Sequence, residues 1–309
     1  MRSMNTVAAI DIGSNAVRLL ISNLEKESGE GGGGAKARKV AYLRIPVRLG
    51  EDVFSTGSIG DEKKELLCSA LKGFRHIMEA FGVKKYRACA TSAMRESANG
   101  EEIARTLRGE SGIAVEIITG HEEAEIVYEA SSLSETQDRG KNYLYVDVGG
   151  GSTEVVVYAD RRKRESYSFR LGTVRILNKD VRREDLFFFK KKLAEIRKKY
   201  PSPKIVASGG NINKAHKLLD KRGGENISFA ELEALFETLK KMTYEERIQK
   251  FVINPYRADV IVPALKIFLT ISKLCGAEEL IVPKVGLVDG IVHQLDDSGA
   301  HDHVLAKGA

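Results

Sequence analysis

The sequence predicts an α/β protein made of two related domains. Three observations predict it. A strand, a tight glycine-containing turn and a second strand occur twice, about a domain's length apart. Strand-like and helix-like stretches alternate between and after the two copies. The 309 residues, at roughly 100 to 200 residues per domain, provide for two buried cores. The expected division is 1–128 and 129–309.

Composition removes several alternatives. Hydrophobic residues make up 42% and charged residues 30% of the chain, which is ordinary for globular proteins and unlike disordered or fibrous ones. The formal charge is +6, from 49 Lys+Arg and 43 Asp+Glu. That surplus is too small to announce nucleic acid, yet it suits any polyanionic ligand. No uncharged apolar stretch approaches the ~20 residues of a membrane span. The early apolar run ends at Asp11 and Gly13 instead of continuing as a signal-peptide core. A cytoplasmic protein is expected, with neither membrane nor nucleic acid as partner. Cys68, Cys89 and Cys275 lie far apart and form no Cys-x-x-Cys pair, so buried thiols are expected.

The first element is the run AIDIGSNAVRLLI from Ala9 to Ile21. Its later counterpart is YVDVGGGSTEVVV from Tyr145 to Val157. Without gaps, Asp11 corresponds to Asp147, Gly13 to Gly149 and Arg18 to Glu154. Both read as hairpins, with apolar runs flanking the residue types that tolerate positive φ. Turns of this kind leave amides pointing outward, and two facing copies would enclose an anion.

Gly29 to Gly34 then reads as a hairpin tip. Residues 61–81 carry apolar side chains at helical spacing and stop at Gly82. A strand is expected over 86–90, a polar loop over 91–95, a helix near 101–107 and a strand over 114–118. In the second half, strands are expected over 143–148, 154–158 and 204–207, the last running into Ser208-Gly209-Gly210. The lysine-rich stretch around Lys190 to Lys192 reads as a solvated helix face. Ser228 with Glu231, and Thr243 with Glu246, have capping-box spacing. The apolar run from Tyr256 to Cys275 reads as helix, with Pro263 in its first turn or at a kink. Residues 296–309 read as a polar tail; His301 and His303 offer metal ligands there, against the simpler reading of disorder.

Several stretches could carry chemistry. In Asp147 to Glu154, the glycines at 149, 150 and 151 remove every Cβ, so phosphates can approach the amides closely; Ser152 follows. Asp147 and Glu154 could hold a divalent cation, largely through water. The matching anion contacts of the first turn are Gly13, Ser14 and Asn15. Neither turn has the spacing of a Walker or Rossmann loop. Arg95 follows a strand through a hydroxyl-rich loop, as suits a phosphate ligand or an ordinary surface arginine. Glu122 and Glu123 open a helical stretch after Thr119-Gly120, where carboxylates also serve the helix dipole.

The ordered set DIGSNAVRLLI, ATSAMRESANG, ITGHEEAEIVYEA, YVDVGGGSTEVVVY, FRLGTVRIL and ASGGNINK resembles the exopolyphosphatase and guanosine pentaphosphate phosphatase (Ppx/GppA) family, within the actin, sugar kinase and Hsp70 ATPase superfamily. The resemblance implies two ribonuclease-H-like domains around an interdomain cleft, with the hairpins as phosphate loops. It implies hydrolysis of a terminal phosphoanhydride bond of inorganic polyphosphate or guanosine pentaphosphate, with magnesium. It places the general base at Glu123 and a catalytic, metal-binding carboxylate at Glu154, beside Asp147. Arg175, Gly209 and Arg257 lie in matching motifs, Gly209 and Arg257 as substrate contacts. A helical C-terminal domain seen in long members is not expected here. Where many members read Gly-Leu-Arg-Glu-Gly, this chain has Gly286-Leu287-Val288-Asp289-Gly290, so that arginine's role does not transfer. An ATP-using phosphotransferase or ATPase, and a non-catalytic polyanion binder, are the alternatives. The oligomeric state is open, a homodimer included.

Overall fold

The computed structural model describes residues 5–25, 36–130, 140–283, 285–297 and 303–305. The glycine-rich tip at 29–34 and His301 lie outside the described residues. The chain forms two compact units, one of Met1–Ala130 with Leu287–Ala309, the other of Ser131–Gly286. This differs from the expected division at 128 and 129, because the end of the chain returns to the first unit.

Unit 1 is built on β1 (Asn5–Ile12), β2 (Val17–Glu25) and β3 (Lys36–Ile45), an antiparallel meander. On its other side β1 pairs in parallel with β4 (Lys85–Ala90), which pairs in parallel with β5 (Glu116–Ile117). Val7, Ala8, Ala9, Ile10 and Ile12 are fully buried. A strand with neighbours on both edges and cover on both faces needs such a continuous apolar run. Around the sheet lie α1 (Leu49–Thr56), α2 (Asp61–Ala80), α3 (Ser92–Glu96), α4 (Gly100–Ser111) and α5 (Gly120–Glu129). The helix α3 occupies the stretch expected as a loop. At the end of α2, Gly82 takes φ 64°, the left-handed turn that stops a helix.

Unit 2 repeats the plan. Its meander is β6 (Asn142–Val148), β7 (Thr153–Ala159) and β8 (Arg162–Phe169). Beyond β6 the order continues through β9 (Lys204–Ser208), parallel to β6, then β11 (Glu279–Ile281) and β10 (Ile227–Ser228). Its helices are α6 (Thr173–Leu177), α7 (Arg183–Lys199), α8 (Gly210–Leu218), α9 (Phe229–Lys241), α10 (Tyr244–Phe251), α11 (Pro255–Ala258) and α12 (Ile261–Cys275). Pro263 sits in the first turn of α12, where its missing N–H is harmless. Both expected capping boxes form, at the starts of α9 and α10. All three cysteines are free and buried. Burial raises the thiol pKa of Cys68 and Cys89, and pushes that of Cys275 up to about 12.

The C-terminal stretch corrects the expectation of a tail. Helix α13 (Leu287–Asp297) packs on α5 and β1 of unit 1. A Cβ on Gly290 would lie 2.1 Å from the Ile126 carbonyl oxygen, so only glycine lets α13 come this close to α5. Strand β12 (His303–Val304) then pairs antiparallel with β4. His303 is no tail residue: its ring packs on Tyr86 and its Nε2 lies 3.2 Å from Glu116.

Candidate active site

In unit 1 the first turn closes with the Gly13 amide donating to the Ala16 carbonyl at 3.1 Å. The carbonyl of Ser14 accepts from the Gly50 amide at 2.8 Å, and that of Asn15 from the Arg48 amide at 3.1 Å. Committing carbonyls to the chain behind a turn leaves its amide side available for an anion. The Ser14 hydroxyl meets that of Ser92 at 2.8 Å, tying the turn to the start of α3. Ser92 lies three residues before Arg95 in the same motif, and no local spacing marks it as a partner of the first turn.

Arg95 and Glu123 come together. A guanidinium nitrogen of Arg95 lies 4.0 Å from Glu123 Oε2 and donates to the Ile118 carbonyl at 2.7 Å. Helix α5 starts on a Thr119 cap, whose hydroxyl oxygen accepts the Glu122 amide at 3.1 Å. Glu122 itself is bound by Arg87 at 2.8 Å. Arg87 is 2% exposed and also bonds Glu116 and Gln294 of α13. The two glutamates therefore differ in kind: Glu122, half-buried, is one of the partners of the buried Arg87, whereas Glu123 faces an arginine that retains other donors. No sequence periodicity marks Arg87, because it is a charge inside a strand.

In unit 2 the echo is geometric as well as sequential. The Gly149 amide donates to the Ser152 carbonyl at 3.0 Å, the same closure as Gly13 to Ala16. The carbonyls of Gly149 and Gly150 accept from Thr173 at 3.0 Å and Val174 at 2.8 Å, the first residues of α6. The amides of Gly150 and Gly151 donate to no backbone or side-chain acceptor among the described residues. Arg175, only 1% exposed, donates its Nε to the Gly151 carbonyl at 2.9 Å and pairs with Asp180. It braces the turn from behind. A Cβ on Gly172 would lie 2.3 Å from the Gly150 carbonyl oxygen, so the bracing segment must also be glycine there.

The hairpins differ at one facing pair. Asp11 stands opposite Arg18 and forms an ion pair with it. Asp147 stands opposite Glu154 in the corresponding register. Directly opposed residues share a face of the sheet with Cβ atoms about 5 Å apart. Glu154 is 1% exposed and accepts the Ser168 hydroxyl at 3.0 Å. Gly209, at φ 111°, adjoins this pair: a Cβ there would sit 3.0 Å from Asp147 Oδ1. A Cβ on Gly210 would sit 3.1 Å from an Arg257 nitrogen, so Asp147, Gly209 and Arg257 gather at the start of α8. A pair of adjacent carboxylates is what a magnesium ion asks of a protein, since it keeps several waters.

The Ppx/GppA phosphatase family model matches residues 32–298. The chain belongs to the Ppx/GppA phosphatase family. It is 33% identical over 179 residues to Exopolyphosphatase 2 of Mycobacterium tuberculosis, covering 56% of this chain and 54% of that protein. It is also 33% identical over 175 residues to a bifunctional 3-dehydroquinate synthase/phosphatase of Fusobacterium nucleatum, covering 56% of this chain and 26% of that protein. The chain thus matches about half, or less, of the length of these curated relatives. Among solved structures, the Ppx/GppA family member from Aquifex aeolicus superposes with TM-score 0.74 at 28% identity, over 94% of this chain and 97% of that one. An exopolyphosphatase from Cytophaga hutchinsonii superposes with TM-score 0.81 over 94% and 98%; at 22% identity this shows the fold. The two sheets of this Ppx/GppA protein are accordingly those of the actin, sugar kinase and Hsp70 two-domain fold.

Proposed function

We propose that this Ppx/GppA protein is an exopolyphosphatase that hydrolyses the terminal phosphoanhydride bond of inorganic polyphosphate, with guanosine pentaphosphate as a second substrate. The observation that carries the reading is Glu123 set 4.0 Å from Arg95 in the unit that also holds the first phosphate turn. A water oxygen attacks the terminal phosphorus, its proton passes to the Glu123 carboxylate, and the bridging P–O bond breaks with its electron pair leaving on the shortened chain. Arg95 stabilises the equatorial oxygens as charge spreads over them. The Gly13 and Gly149 amides close their own turns, so in the first turn the amides of Ser14 and Asn15, and in the second those of Gly150, Gly151 and Ser152, are the groups that would hold phosphate oxygens, with Gly209 and Arg257 as further contacts.

Asp147 and Glu154 would hold magnesium. They stand opposite each other in the β6–β7 register, and magnesium takes only one or two carboxylates while keeping several waters. When bound, the ion neutralises phosphate charge and orients the leaving group.

Phosphate release from defined-length polyphosphate, guanosine pentaphosphate and ATP, with and without magnesium, tests the reading. Release from polyphosphate without an acceptor, and little from ATP, is expected. Release from ATP alone would make the chain an ATPase of the same superfamily. Glu123→Gln should lower kcat by about 10²- to 10⁴-fold while substrate still binds. Unchanged turnover in that variant would remove Glu123 as the base.

A further inference from the structure

We propose that unit 2 carries a pocket for a small amphiphilic anion, an apolar body ending in a phosphate or carboxylate group. The cavity measures about 420 Å³, within the usual range of small-molecule sites. Its walls are Leu171, Ile176, Val181, Leu186, Phe189 and Ile267. Its polar lining consists of Lys179, Lys190, Lys266 and Thr270, with no carboxylate. None of the three ammonium groups forms an ion pair among the described residues. On the helix that carries Lys190 other lysines are paired: Lys192 with Glu195 at 2.7 Å and Lys199 with Glu165 at 2.5 Å. Three exposed lysines thus border one apolar hollow without a carboxylate partner among the described residues, which leaves their charges for an incoming anion.

The lining discriminates among anions. Free phosphate or polyphosphate would satisfy the lysines but leave the apolar walls in water. A nucleotide would bury polar base edges where the only hydroxyl, that of Thr270, already donates to the Lys266 carbonyl at 2.7 Å. An apolar body with one anionic end satisfies both parts. The pocket adjoins the glycine turn: the Leu171 carbonyl accepts the Thr153 hydroxyl, and α6, which contributes Ile176 to the cavity wall, holds the carbonyls of Gly149 and Gly150.

The test is calorimetric titration of the whole chain with decyl phosphate below its micelle concentration. Saturable one-to-one binding is expected. Decanol and inorganic phosphate should each bind at least about tenfold more weakly, and neither should compete at equal concentration. The double variant Lys190→Gln, Lys266→Gln should weaken decyl phosphate by about tenfold or more, through charges at exposed positions that leave the fold intact. Thr270→Trp, which obstructs the cavity without removing a charge, should weaken it similarly. Absence of saturable binding, equal affinity for decanol or phosphate alone, unchanged affinity in both variants, or binding only to anionic lipid vesicles would overturn the proposal.

Discussion

At Glu122 and Glu123, one step along a helix turns the side chain by about 100°. That step separates a glutamate bound to buried Arg87 from one beside Arg95. Glu122→Gln should therefore cost about 1 to 3 kcal/mol of stability, read as a lower denaturation midpoint, with kcat retained. Glu123→Gln should do the reverse. The spacing of the motif could not divide these roles, because carboxylates in a first helical turn serve the dipole equally well; the arginine partners, distant in sequence, divide them. Gly172 offers a second case. Gly172→Ala would press a methyl group against the Gly150 carbonyl, 2.3 Å from the ideal Cβ position. Displacement of the glycine turn should follow, with kcat and KM both impaired and far-ultraviolet circular dichroism unchanged. Nothing local marks this glycine, since the clash is with a turn more than twenty residues earlier.

Elements were legible where their signals are local. The capping boxes are the clearest: Ser228 Oγ accepts the Glu231 amide at 3.2 Å, and Glu231 accepts the Ser228 amide at 2.9 Å. Hydrogen bonds from Lys221, and then from Ser228, hold the Glu231 carboxyl down from its ordinary 4.5 to about 2. A lowered carboxyl pKa stabilises the fold above the unfolded value and is lost as pH falls through the folded one. The stability difference between the wild type and Glu231→Gln should be full above pH 4.5 and should close by about pH 2. Urea titrations at several pH values measure it. A pH-independent difference would contradict the assignment. By contrast, α3 and α6 escaped sequence reasoning, and β5 fills only two residues of the strand expected over 114–118. Each spans five residues or fewer, too short for periodicity to register. Their positions follow from what they pack on: α6 from the glycine turn, and β5 from β4.

On the scale of the whole molecule, the duplicated plan was readable because the hairpins repeat residue by residue, down to the Gly13 and Gly149 closures. The ownership of the last helix was not, since an amphipathic segment does not say which core it covers. Removal of residues 287–309 should expose the α5 and β1 surface that α13 covers. Unit 1 should then lose hydrogen-exchange protection while β6, β7 and β9 of unit 2 keep theirs. Equal loss in both units would show that they unfold as one.

The return of α13 also gives the chain an order of birth. Unit 2 is one uninterrupted stretch, Ser131–Gly286, and all of it leaves the ribosome before Leu287 does. Unit 1 is started before unit 2 and completed after it, its central strand awaiting a cover that lies beyond unit 2 in the chain. During synthesis the inserted unit can mature alone, while its older neighbour stays unfinished until Leu287 and the residues after it emerge.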